Sequence, residues 1–122
     1  MSDQSLFERL GGKEGITAIA GDLVDNHLSN PLIAKRFENI ATSRDTLVNG
    51  AATFFIMGTG GPEVYEGKDM IATHKGMNIS GSEYMAALDD ALAALEKNNI
   101  AQREQEEVLF ILFSLRKEIL AQ

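Results

Sequence analysis

Apolar positions recur every three or four residues along most of this chain, the spacing of one face of an α-helix. The first such stretch is short, from Ser5 to Leu10, and stops at Gly11-Gly12. The second runs from Lys13 to Ser29 and sets Ile16, Ile19, Ala20, Leu23, Val24 and Leu28 on one side. Pro31 permits a new start, so Leu32 to Phe37 reads as a short helix or turn. Ile40 to Ser43 is a connection. The next helix begins at Ser43 or Asp45, carries Leu47, Val48, Ala51, Phe54 and Phe55, and ends at Thr59-Gly60-Gly61-Pro62.

Val64 to Asp69 reads as loop, and Met70 to Lys75 as one or two helical turns stopped by Gly76. Ser80-Gly81-Ser82-Glu83 is a capping pattern, and the helix it opens lines up Tyr84, Ala87, Leu88, Ala91, Leu92 and Leu95. Asn98-Asn99 breaks that helix. The last one spans Gln102 to Ala121 and turns Val108, Ile111, Leu112, Leu115 and Ile119 inward. No segment alternates with a period of two, so the class is all-α, with about five substantial helices and very short first and fourth ones. Helices joined by glycine-rich corners do not make a tidy up-down bundle. They suit crossed packing around something large and flat.

Composition narrows the function. At 122 residues, one domain over 1–122 is expected, with a core that a cofactor's apolar surface would enlarge. A net charge of -7 argues against a nucleic-acid partner, because phosphate binding needs a basic face. The lack of cysteine excludes thiolate metal sites and cysteine nucleophiles. No apolar run approaches the roughly 20 residues of a membrane span. Met1 to Gln4 is polar and unlike a signal peptide, so a cytoplasmic protein without a membrane partner is expected.

Chemistry centres on two histidines. His74 follows apolar Met70-Ile71-Ala72 and precedes Gly76, where the chain can turn away. A neutral imidazole there is either an iron ligand or a surface or partly buried residue with no ligand role. The order of segments adds to this. Leu6-Phe7-Glu8-Arg9-Leu10-Gly11-Gly12, Asn30-Pro31-Leu32-Ile33-Ala34-Lys35-Arg36-Phe37, Gly60-Gly61-Pro62, Tyr65-x-Gly67-x-x-Met70 and His74-Lys75-Gly76-x-x-Ile79-Ser80 follow one another in sequence. In these pieces the chain resembles the first group of truncated haemoglobins, from Ser5 to Leu120. The resemblance implies a globin-like, two-over-two helical sandwich around haem b, with His74 as the iron ligand. It also implies that Phe37, Leu47, Ala51, Phe55, Tyr65, Met70, Ile79 and Tyr84 touch the macrocycle.

The distal side departs from that family. Its tyrosine and glutamine positions fall on Val24, Leu47 and Ala51, and none of these side chains can donate a hydrogen bond. The stretch from Phe37 to Leu47 is also longer than in the family, which leaves Thr46, Asn49 and Thr53 as alternative donors if the helix rotates. A donor to bound oxygen is typically worth about 1.5–3 kcal/mol. Its loss corresponds to roughly ten- to a hundredfold faster oxygen release. His27, three residues after Val24, is either a sixth iron ligand or water-mediated donor, or a partly exposed residue at a helix end. The leading function is reversible binding of small diatomic gases, namely oxygen, carbon monoxide and nitric oxide, rather than a dedicated enzyme. The alternative is a nitric oxide dioxygenase, for which the acidic surface permits a basic electron-donor reductase. A haem-free helical interaction module is the third reading. The His74 assignment predicts that His74→Ala abolishes the normal ferrous absorption spectrum and weakens haem retention; an unchanged ferrous spectrum would sink it.

Overall fold

The computed structural model describes residues 4–37, 43–61 and 79–115, with side chains of the first segment described up to residue 35. Helix α1 is Leu6–Arg9 and α2 is Gly12–Ser29. A 3-10 turn follows at Ala34–Phe37, then α3 at Arg44–Gly58, α4 at Gly81–Lys97 and α5 at Gln102–Ser114. Among the described residues, no helix is long and apolar enough to cross a membrane.

Local chemistry sets each boundary. The α1–α2 corner needs glycine twice over. Gly11 and Gly12 hold φ of 98° and 68°, a region costly for other L-residues. At Gly15 a Cβ would lie 2.2 Å from the Leu10 carbonyl oxygen, so the corner closes only without a side chain there. Helix α3 starts at Ser43, whose Oγ accepts from the Thr46 amide. It ends in a Schellman motif: Gly61 N–H donates to Ile56 C=O at 2.7 Å and Gly60 N–H to Met57 C=O at 3.2 Å. Helix α4 opens with the full Ser80–Glu83 capping box. It closes in the same motif, with Asn99 at φ 59° and Ile100 N–H donating to Leu95 C=O at 3.1 Å.

Helix α2 lies between α3 and α4, and α4 pairs with α5. The buried core joins Ile16, Ile19, Ala20 and Leu23 of α2 to Ala52 and Ile56 of α3, Ala91, Ala94 and Leu95 of α4, and Val108 of α5. Helix α1 is anchored to the last helix by ions: Arg9 donates to Glu104 at 2.9 Å and to both carboxylate oxygens of Glu107. That guanidinium holds the Glu107 carboxyl below its usual range.

The inward faces differ from the periodicity in three places. Ala52 and Ile56, rather than Leu47 and Ala51, form the buried row of α3. Ala86 and Ala94 join the buried face of α4, while Ala87 and Leu92 stay half-buried. On α5 only Val108 is buried, with Ile111, Leu112 and Leu115 half-buried and Ile119 outside the described residues. Removing the α4 cap hydroxyl with Ser80→Ala should cost about 1 kcal/mol. A lowered urea midpoint with unchanged slope would show it, with Ser82→Ala as a near-neutral control.

Candidate functional site

Helix α3 is apolar on two sides. One row, Val48, Ala52 and Ile56, packs against the core, and Ala51 and Phe55 touch the edge of that core as well. A second row, Leu47, Ala51 and Phe55, is spaced i, i+4, i+8 and therefore runs along an adjoining side of the helix. All three are half-buried, as is Phe54, whose ring stands edge-on to Phe55 with centroids 6.1 Å apart. Phe54 was absent from the site expected from the sequence, although its i+7 relation to Leu47 puts it on the same strip. This strip of aliphatic and aromatic carbon is only partly covered by protein, which suits a broad, flat, apolar group.

Polar side chains of α3 face elsewhere. Thr46 sits in the helix cap, its Oγ1 2.9 Å from Ser43 Oγ. Asn49 and Thr53 line a groove of about 270 Å³ with Lys13, Thr17 and Asp45, bordered by the core row Val48, Ala52 and Ile56. That groove is not on the Leu47–Ala51 side. The three alternative donors therefore have other surroundings, and the strip itself offers no side-chain hydrogen bond.

Val24 is buried in α2, in the turn over which α3 begins. That crossing is fixed by Arg44, which donates to Asp25 and to the Gly21 carbonyl. The guanidinium holds the Asp25 carboxyl below its usual range, and the carboxylate raises Arg44 in turn. Deeper in, a void of about 10 Å³ is lined only by apolar residues, among them Leu23, Phe55, Ala91 and Leu95. A space so small and so apolar stays dry.

The two remaining polar candidates are tied into the scaffold. His27 Nδ1 lies 2.7 Å from Asp90 Oδ2 on α4, and Asn30 Nδ2 donates to both Asp90 oxygens at 3.2 Å. Asn26 adds a bond to the Asp90 carbonyl at 3.0 Å. One ring nitrogen of His27 thus joins a clasp between α2 and α4. Tyr84 is buried, its hydroxyl donating to the Leu112 carbonyl near the end of α5 and its ring 6.5 Å from Phe113. Ile79 is half-buried just ahead of the α4 cap. Phe37 closes the 3-10 turn; its side chain, and all of Tyr65, Met70 and His74, lie outside the described residues.

Residues 5–121 match the bacterial-like globin family. The chain belongs to that family. This globin is 27% identical over 117 residues to the group 1 truncated hemoglobin of Tetrahymena pyriformis, across 96% of this chain and 95% of that one. The corresponding Tetrahymena thermophila protein is 28% identical over 116 residues, covering 95% and 94%. The crystal structure of the Tetrahymena pyriformis protein in its Fe(III) form superposes with a TM-score of 0.91, over 98% of this globin and all of that chain. The helical architecture is therefore the globin fold of truncated haemoglobins, and membership implies haem-based ligand binding. The open strip on α3 fits such a group. Removing haem should lower the melting temperature, because a ligand that binds only the folded state stabilises it, by roughly 4 kcal/mol at a thousandfold excess over its dissociation constant. Equal melting temperatures by circular dichroism for apo and holo protein would count against the strip as a haem face.

Proposed function

We propose that this globin reversibly binds small diatomic gases at haem b, with His74 as the iron ligand and a distal wall made of Val24, Leu47 and Ala51. The observation that carries the reading is the partly open apolar row on α3, which lacks a side-chain donor. Leu47, Ala51 and Phe55 would hold the macrocycle from α3, joined by Phe37, Tyr65, Met70 and Ile79. Tyr84 would act from behind, by fixing α4 against α5. When bound, haem would supply an iron centre able to take a neutral diatomic ligand.

The protein's share of the chemistry is selection by polarity. Val24, Leu47 and Ala51 exclude water and leave the ligand without a charge-assisted bond. That removes the main advantage oxygen has over carbon monoxide in a polar pocket. The same wall weighs against a nitric oxide dioxygenase, which needs a donor to retain oxygen and a reductase to restore the ferrous state. An apolar wall also supplies no acid or base.

Absorption spectra of the ferric, ferrous and carbon-monoxide-treated protein test the reading directly; a purified chain that takes up no haem and shows no Soret band would overturn it. Ligand choice has its own test. Oxygen should dissociate faster than from relatives that carry a tyrosine or glutamine donor. Val24→Tyr, or Leu47→Gln at the roomier half-buried position, should slow release by roughly ten- to a hundredfold in stopped-flow, the range expected for one such bond. Slow release in the parent, unaffected by changes at these sites, would mean that the donor lies elsewhere.

A further inference from the structure

Helix α5 has an apolar side that the protein's own core does not use. Val108 is buried, and Ile111 and Leu112 pack half-buried against the core. Phe110 lies two residues beyond Val108, about 200° further round the helix, and so points away from that core. It is 74% exposed, the most of any large apolar side chain among the described residues. Phe113, one turn on, is exposed too, with its ring against Tyr84, and so is Met57 near the end of α3. An exposed apolar patch with a polar rim marks a surface that meets a partner.

Beside Phe110 runs a groove of about 540 Å³, bounded by α5, by α1 and by the end of α3. Leu6, Phe110 and Ile111 give it apolar walls, and Gly58 and Thr59 also line it. A Cβ at Gly58 would meet nothing within 4 Å, so the groove is open there. A projecting ring and a hollow thus lie side by side on one face. The Leu47–Ala51–Phe55 row is not among the residues that line it.

Charge decides what fits. Arg9 and Arg103 border the groove together with Glu106 and Glu107. Arg9 donates to Glu107 at 2.9 Å, and Arg103 Nε lies 3.8 Å from the same carboxylate. These four charges cancel, on a chain whose net charge is -7. A basic protein is drawn to the acidic surface elsewhere and gains little here, and an anionic membrane repels the chain. A second copy meets no like-charge penalty at a balanced face. It also brings both the ring and the hollow that receives it.

We propose that this face is a homodimer interface, in which two copies related by a twofold axis each seat Phe110 in the other's groove. Such a contact is self-complementary, with one patch serving both sides. Arg103 borders the groove and so meets the incoming ring, a cation–π contact. An aromatic side chain buries about 150–250 Å², whereas a stable interface takes about 800 Å² from each partner. Phe110 and Phe113 supply at most about half of that, so the dimer is weak and reversible.

Sedimentation velocity on the full chain with equimolar haem tests this, the added haem keeping the α3 strip from being the surface that associates. Between about 10 µM and 1 mM the parent should pass from monomer to dimer. Phe110→Ala should weaken association at least roughly tenfold, as for an aromatic anchor at an interface centre, with unchanged helicity by circular dichroism. Leu32→Ala, also exposed but outside the groove, should leave it unchanged. Arg103→Glu unbalances the charges and should weaken the dimer by roughly three- to tenfold, and adding Glu106→Arg should restore most of the loss. A parent that stays monomeric at about 1 mM would overturn the proposal, as would a dimer that Phe110→Ala and Arg103→Glu leave intact. Phe110-dependent binding of polylysine or of phosphatidylcholine vesicles by a monomeric parent would overturn it in favour of a basic partner or a lipid surface.

Discussion

Helix α3 carries apolar side chains around more of its circumference than α2 can cover. Ala52 at 4% and Ile56 at 1% exposure complete the protein's own core, while Leu47, Ala51, Phe54 and Phe55 remain partly open. A strip of that kind, left to water, is an aggregation liability. Covered by a flat apolar group, as the proposed haem contact would have it, the strip would become the wall of a second core.

The arrangement depends on α2 being held on both flanks. Toward α4 it is apolar in the middle, with Ala20 and Ala94 at 0% exposure. Polar ties stand at either end: Asn98 donates to Asp22 at 2.8 Å, and His27, Asn26 and Asn30 converge on Asp90. These ties fix how far one helix can slide along the other. Toward α3 the apolar contact starts at Val48 and deepens at Ala52 and Ile56, with Arg44 bonded to Asp25 and Gly21 ahead of it.

Much of this was legible in the sequence, for identifiable reasons. Helix ends carry local chemistry, so Gly11-Gly12, Ser43, Thr59-Gly60, Ser80–Glu83 and Asn98-Asn99 mark boundaries within a residue or two. The conspicuous large side chains misled about α3, because Leu47 and Phe55 draw the eye while the packed row contains an alanine. Helices that approach closely need small residues at the contact, and hydropathy patterns weigh Ala52, Ala86 and Ala94 too lightly. The pairs Arg44–Asp25, Arg9–Glu107 and His27–Asp90 were invisible, since nothing local relates residues 19 to 98 positions apart. Motif order singled out Leu47, Ala51 and Phe55, which the structure has on one helix, but gave no sign that the Tyr84 hydroxyl is used within the scaffold.

The Arg9 contact has a consequence for how the chain matures. Helix α1 has four residues, too few to persist alone in water. Its lasting partners are Glu104 and Glu107, almost at the other end of the chain, and the Thr59 carbonyl that receives the Phe7 amide at 2.9 Å. Residues 6–9 leave a ribosome well before α5 does, so the Arg9 side chain finds its carboxylate partners only after most of the described fold has been made.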